Sequence, residues 1–493
     1  MAPQYDAVIV GAGFGGMGAA IALKQLGLDN IVILEREDDL GGTWHVNRYP
    51  GLAVDIASVT YSYSFEPNPH WSRLFAPGAE LKKYAEHVAD KYDLRKYMRF
   101  GAVVGGAVWD DEAQQWTVSI ADQEPVTARY ILTATGFLSQ PHTPEIPGID
   151  TFQGKIIHTT NWDDSYDLTG KKAAIIGTGA TAVQLIPKLA DRVSELTVFQ
   201  RTPIWVTPKV DTPIPKTVQA LFKRIPATQR AARFVNTALL EALMVSAVLH
   251  FRQARVLNEI AAGAAKLHLR AQVKDAELRR KLTPDYDFGC KRPTFSNEYF
   301  TTFNKPHVHL QTSTIERIEP DGIVTADGSK AEIDTLVLAT GFNLWDVNFP
   351  AIEVLGRNGR NLGKWWRDNR FQAFEGITVP QFPNFMTLAS PYSYSGLSYF
   401  TTIEVQMKHI KRLLGEVKRR GATTFEVKQE ANDAFLDRMT EKLGDSVFYR
   451  GSCQGSRSYY FNQHGEAAIL RPTSTIAAHR EAERFPLDSY TYS

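Results

Sequence analysis

Two glycine clusters, and the charged residues that follow each of them, are the parts of this sequence whose types and spacing could do chemistry. The first cluster, Gly11-Ala12-Gly13-Phe14-Gly15-Gly16, ends the alternating apolar stretch Tyr5 to Val10 and opens an Ala- and Leu-rich segment with helical spacing through Leu26. Strand, tight turn and helix is the arrangement that holds a dinucleotide. Gly11 permits the turn, Gly13 lets a pyrophosphate approach the backbone, Gly16 lets helix and strand pack closely, and the helix N-terminus offers free N–H groups to the anion. Ile31 to Leu34 reads as the next strand, and Glu35 closes it about 20 residues after the fingerprint, where an acid accepts from the hydroxyl of an unphosphorylated adenosine ribose.

The second cluster, Gly177-Thr178-Gly179-Ala180-Thr181-Ala182, follows the strand Ala173 to Ile176 and opens a helix ending near Ala190, with Ala182 in place of the third glycine. Its following strand, Leu196 to Phe199, ends in Gln200-Arg201-Thr202. Strand alignment pairs Glu35 with Gln200, whereas spacing pairs it with Arg201; neither is an acid. A carboxylate there would repel a 2′-phosphate and a guanidinium would clamp one, so NADPH is expected over NADH.

Between the two fingerprints lies the spaced string Phe152, Gly154, His158, Trp162 and Asp163, F-x-G-x-x-x-H-x-x-x-W-D. With the fingerprints it resembles the signature of type I Baeyer-Villiger monooxygenases, class B flavoprotein monooxygenases. The related amine- and sulfide-oxidising flavin enzymes share F-x-G-x-x-x-H but usually lack the Trp followed by Pro or Asp, so Trp162 and Asp163 decide between them. The resemblance continues through Arg48-Tyr49-Pro50-Gly51, Asp55, Gly289-Cys290-Lys291-Arg292-Pro293, Tyr299, Phe303-Asn304, Phe382-Pro383-Asn384-Phe385 and two Ala-Thr-Gly turns at 134–136 and 339–341. It covers most of residues 5 to 400.

The resemblance implies FAD at the first site, where Gly42, Thr43 and Trp44 pack near the isoalloxazine and pyrophosphate and Asp55, Tyr61 and Val104 join the cofactor contacts. It implies NADPH at the second, its 2′-phosphate shared by Arg201, Thr202 and Lys291. The reaction implied is conversion of a ketone to an ester or lactone through a C4a-peroxyflavin, with sulfoxidation as a side activity; the alternative is an N- or S-oxygenating flavin enzyme. Such chemistry needs a fixed cation beside an anionic oxygen, and arginine stays charged with donors in a rigid fork. By the family match that cation is Arg292, oriented by Asp55. His158 and Trp162 are expected to couple the two nucleotide sites, and Ser395, Gly396 and Leu397 to shape the ketone site. A flavoprotein that binds both nucleotides without turnover is a rival from another class, and a disulfide reductase is closed off because no cysteine precedes position 290.

These residues need an α/β frame: two Rossmann-like dinucleotide-binding domains, with residues 1–150 and 343–493 forming the FAD domain around an NADPH domain at 151–342. Residues about 213–285, Ala-, Arg- and Leu-rich, read as a helical insertion in the latter. The apolar run Phe234 to Phe251 is expected to be a buried or lid helix, with membrane contact as the alternative. It contains Asn236, Glu241 and His250, and a charge near a bilayer centre costs roughly 2.5–3.5 kcal/mol on insertion scales, so no stable insertion is expected. Tyr399 to Leu414 reads as a helix.

With 55 basic and 54 acidic side chains, no overall field attracts nucleic acid. Two cysteines, Cys290 and Cys453, are too few for a disulfide scaffold or a four-thiolate metal site; Cys290 is expected to be a small packed residue, no metal is expected, and the expected address is the cytoplasm. One departure stands out. Where many family members carry S-W-x-x-G-x-N-x-P-G-K, the tail reads Tyr449-Arg450-Gly451-Ser452-Cys453-Gln454-Gly455-Ser456, so the loop that closes the active site has no motif here.

Overall fold

The computed structural model describes residues 2–493. Its largest sheet has eight strands, among them β1 (Tyr5–Val10), β2 (Ile31–Leu34), β3 (Met98–Arg99), β4 (Val104–Asp110), β5 (Gln115–Ile120) and β6 (Gln123–Thr133). β1 is central, parallel to both β2 and β6. From Ala7 to Val10 it is a run of apolar residues buried on both faces, as a central parallel strand must be. Two strands from far along the chain complete this sheet: Phe385–Thr387 lies parallel to β6, and Glu353–Leu355 parallel to β4. The indole of Trp116 in β5 donates to the carbonyl of Pro383 at 2.8 Å, tying the two parts together.

A second, five-stranded sheet runs Val308–Gln311, β9 (Glu195–Phe199), β8 (Lys172–Ile176), Thr335–Leu338 and β7 (Lys155–His158), all pairings parallel. Each glycine cluster opens a helix off its own sheet, Phe14–Gln25 after β1 and Ala180–Ala190 after β8. The two halves are built alike. Gly11 has φ +107° and a Cβ there would meet the carbonyl oxygen of Ala134 at 2.6 Å; Gly177 has φ +115° and would meet that of Ala339 at 2.3 Å. Both Ala-Thr-Gly turns therefore close against the first glycine of a fingerprint.

Helices Lys216–Arg224, Pro226–Leu240, Phe251–Gln272 and Ala276–Leu282 form the insertion expected from composition. Its apolar run divides: Phe234, Val235, Leu239 and Leu243 are exposed, contrary to the expectation of burial, whereas Val245, Ala247, Leu249 and Phe251 are buried as expected. Phe234 is 69% exposed and Val235 64%, because the polar residues of that helix are the ones bonded to the body of the protein. The helix expected to end at Leu414 continues to Arg420, where Gly421 in the left-handed region stops it.

Candidate functional site

Asp55 follows the turn after Tyr49-Pro50-Gly51, and Arg292 lies in the irregular stretch between the helix Ala276–Leu282 and the strand Thr294–Phe295. Separated by 237 positions, they meet as a fork: Arg292 Nε donates to Asp55 Oδ2 at 2.6 Å and Nη2 to Oδ1 at 3.0 Å. Nη1 donates to the Tyr394 hydroxyl at 2.9 Å, and that hydroxyl donates onward to the Leu397 carbonyl at 3.1 Å. A guanidinium has five N–H donors, so two remain for another acceptor. The pair lies deep in the fold yet keeps one side open, with side chains 23% and 30% exposed.

Burial works against both charges, but each offsets it for the other. Burial is the largest influence on Arg292 and would lower its pKa; the Asp55 carboxylate outweighs it and the guanidinium stays protonated at any working pH. Asp55 is likewise held below the ordinary carboxylate range by Arg292, against desolvation. Burial pushes the Tyr394 hydroxyl up to about 12, keeping it a neutral bridge between the fork and the segment 395–397. In that segment the Ser395 Oγ is buried with no partner among the described residues, and Gly396 at φ +82° faces open space.

The first glycine cluster is closed at one end and open in the middle. A Cβ on Gly16 would fall 1.8 Å from the Gly11 oxygen, whereas at Gly13 the nearest atom is the Cα of Gly42 at 3.6 Å, so turn and helix are locked together while space stays open where a pyrophosphate must lie. Gly42 (φ +54°) caps the short helix Thr43–Val46; Trp44 meets Tyr61 edge-on at 5.6 Å between centroids, and Tyr61 meets Phe400 at 5.0 Å. Glu35 is buried, accepting from the backbone N–H groups of Ala12 at 2.7 Å and Glu37 at 3.1 Å, which leaves lone pairs for a ribose hydroxyl. Its own carbonyl accepts from the Ala102 N–H, two residues before β4 begins at Val104.

At the second cluster the alignment of the two units is decided. Gly11 donates to the carbonyl of Leu34 and Gly177 to that of Phe199, so Gln200 is the counterpart of Glu35. Gln200 is buried and turns its amide to the Lys281 carbonyl, while Arg201 beside it is exposed. Nothing lies within 4 Å of a Cβ at Gly179, and Ala182 is fully buried in the helix after it. The carbonyl of Thr202 accepts from Thr178 Oγ1, closing the loop. Lys291 is drawn down to about 8 by burial and by the charges of Arg201 and Arg457. Three cations this close, with only Asp285 to offset them at Lys291, are suited to an anion of more than one charge. Sequence reasoning missed Arg457, since no motif marks the tail.

That tail supplies another finding. Cys290 and Cys453 form a disulfide with Cα atoms 5.3 Å apart, correcting the expectation of a lone packed thiol. A sequence separation of 163 hides the pairing, because only folding brings the tail back. Ser452 N–H also donates to Asp287 Oδ2 at 2.8 Å. The unassigned tail is thereby bound to the loop that carries Lys291 and Arg292.

The spaced string between the fingerprints divides its roles. A Cβ at Gly154 would lie 2.3 Å from the Asp334 oxygen and 2.5 Å from the Phe152 ring, so this glycine is dictated by packing. Trp162 is buried in the core beneath the second sheet, and Asp163 holds Lys155 at 2.8 Å and caps Ser165 at the surface. His158 ends β7; its Nδ1 accepts from the backbone N–H of Thr160, which puts the ring proton on Nε2, a buried donor with no partner among the described residues. Burial lowers its pKa, so the ring is neutral.

Glycine cradles with open space, two unused guanidinium donors and two orphaned buried polar atoms fit a pair of dinucleotides and an oxygen-bearing substrate. The comparisons agree. A family model described as pyridine nucleotide-disulphide oxidoreductase matches residues 8–238; as no cysteine precedes position 290, the match reflects the dinucleotide frame and not disulfide chemistry. A Baeyer-Villiger monooxygenase of Streptomyces coelicolor is 38% identical over 98% of this chain and 91% of its own length, and one of Pseudomonas aeruginosa is 36% identical over 98% and 90%. A crystal structure of OTEMO in complex with FAD and NADP superposes with a TM-score of 0.89 over all of both chains at 28% identity.

Proposed function

The chain belongs to the Baeyer-Villiger monooxygenase family, and from that premise we propose that Arg292, held by Asp55, is the cation that stabilises the anionic oxygen formed during attack on a ketone. The protein is an FAD-dependent monooxygenase that uses NADPH and O2. Bound FAD supplies the redox chemistry, taking hydride from NADPH and delivering the electrons to O2. The two remaining N–H donors of Arg292 carry the proposal: they point from a guanidinium whose other three are fixed, and preorganised donors aimed at developing negative charge are the largest common source of rate enhancement.

Asp55 orients the fork and prevents the guanidinium from swinging toward solvent. Tyr394 passes that orientation to the segment Ser395, Gly396 and Leu397, which we assign to the ketone, with the free Ser395 hydroxyl as a donor for its oxygen. Arg201, Lys291 and Arg457 would hold the 2′-phosphate of NADPH, while Gly177 and Gly179 admit its pyrophosphate. Gly11, Gly13 and Gly16 would do the same for FAD, with Glu35 on the ribose and Trp44, Tyr61 and Val104 lining the ring and adenine sides. His158, neutral with its Nε2 proton free, would donate at the join between the sites.

We assign residues 1–150 and 343–493 to the FAD domain and 151–342 to the NADPH domain, supported by the strands each sheet draws from those ranges. The proposed location remains the cytoplasm on the ground of its soluble dinucleotide pool alone, because the Cys290–Cys453 bond removes the argument from cysteine usage. The test is product analysis with NADPH and a ketone panel, a thioether supplied alongside. The wild type yields ester or lactone; Arg292→Ala still reduces its flavin with NADPH but loses ester formation by ~10²–10³ or more. Ester formation retained in that variant removes Arg292 from the reaction, and sulfoxide as the sole product removes the ketone.

A further inference from the structure

A helix on a water-facing surface normally turns its polar side outward. The stretch Pro226–Leu249 does the reverse as far as Leu243, before Val245, Ala247 and Leu249 turn inward. Four of its polar side chains face the protein: Gln229 donates to the Asn68 carbonyl at 2.7 Å, Arg233 to the Ser62 carbonyl at 2.6 Å, Asn236 accepts from Thr60 Oγ1 at 2.9 Å, and Glu241 accepts from the Thr475 N–H at 2.8 Å. Its apolar side faces out, with Phe234, Val235, Leu239 and Leu243 between 46% and 69% exposed. Exposed alanines at 227, 231, 238 and 242 fall at helical spacing on the same side. The helix Phe251–Gln272 of the same insertion carries a stripe of its own, Val256, Ile260 and Leu267, each more than 60% exposed and spaced i, i+4, i+11.

Charge selects what covers this face. Residues 213–282 hold 13 Lys and Arg against 4 Asp and Glu, in a chain whose total is +1. All four acids are engaged: Glu259 pairs with Arg255, Glu277 with Lys281, Asp275 caps a helix, and Glu241 is bonded as above. Lys223, Arg224, Arg230, Lys266 and Arg270 are exposed beside the apolar stripes. A second copy meeting this face about a twofold axis would set the same cations against one another.

We propose that the helical insertion seats on an anionic lipid surface, its apolar stripes in the headgroup boundary and its cations on the phosphates. Apolar burial plus basic charge is what holds an interfacial helix. At 24 residues the stretch is long enough to cross a bilayer, but its inner side is bonded to residues 60–68 and to Thr475, so it lies along the surface.

The experiment is flotation of the full-length, FAD-loaded enzyme with vesicles of phosphatidylcholine alone or mixed with phosphatidylglycerol. The wild type floats with the mixed vesicles, at least about tenfold less with neutral ones, and is released by added salt. The double variant Phe234→Ser with Leu239→Ser, and separately Lys223→Glu with Arg224→Glu, each lose binding by about tenfold while FAD content and NADPH consumption stay unchanged. Failure of the wild type to float overturns the proposal, as does undiminished flotation of both variants. A wild type that ignores vesicles but is dimeric on a sizing column, and monomeric as Phe234→Ser with Leu239→Ser, assigns the face to a second copy and overturns it as well.

Discussion

Lys291 and Arg292 are neighbours with opposite electrostatic fates. Arg292 has a carboxylate across from it and is locked in its charge; Lys291 has Arg201 and Arg457 and is pushed down to about 8. The 2′-phosphate role proposed for Lys291 requires its charged form, so its depressed pKa costs affinity as pH rises. The KM for NADPH is therefore expected to be flat below about pH 8 and to climb above it, and Lys291→Ala to raise KM throughout and flatten the profile, with kcat little changed. Steady-state kinetics on both sides of pH 8 check this; an identical climb in the variant would assign the titration elsewhere. Arg457→Ala should raise the NADPH KM and move the midpoint of the wild-type climb upward, because one of the two like charges acting on Lys291 is gone.

At the scale of elements, the glycines are set by backbone proximity. The string between the fingerprints illustrates how a motif can be structural in one residue and polar in the next: Gly154 has no room for a methyl group, while His158 four positions on carries a spare proton. Gly154→Ala forces a Cβ against the Asp334 carbonyl and is expected to destabilise by about 1–3 kcal/mol in chemical denaturation, with flavin content largely preserved because the first sheet is untouched. A denaturation midpoint equal to wild type would show that the strand edge yields. Much of this layer was legible beforehand. The strands Tyr5–Val10 and Ile31–Leu34 and the helix ending at Ala190 fell where alternation, glycine punctuation and helical spacing put them, since these signals are local. The face of the Pro226–Leu249 helix was not, because periodicity tells which residues share a side and not which side meets the protein.

For the molecule as a whole, the tail closes the architecture. The Cys290–Cys453 bond and the Ser452–Asp287 contact fasten the last segment to the loop of the fork, and bring Arg457 to Arg201 and Lys291. Cys453→Ser should lower unfolding stability by about 2–4 kcal/mol in the oxidised protein and raise the NADPH KM, with thiol titration before and after reduction reporting the bond. Unchanged stability and KM together would mean that the tail is held by its other contacts.

What this sequence determined by itself was the set of local devices: two strand–turn–helix phosphate cradles, an acid after one and no acid after the other, and a string that distinguishes its family. Each depends on neighbours within about one supersecondary unit, and so is written in spacing. The tertiary structure alone decided that Gln200 rather than Arg201 is the counterpart of Glu35, that two distant cysteines join, and that Phe234, Val235, Leu239 and Leu243 face outward. Those outcomes depend on which surfaces are brought together by burial and hydrogen bonding over hundreds of residues, and no local pattern records that choice.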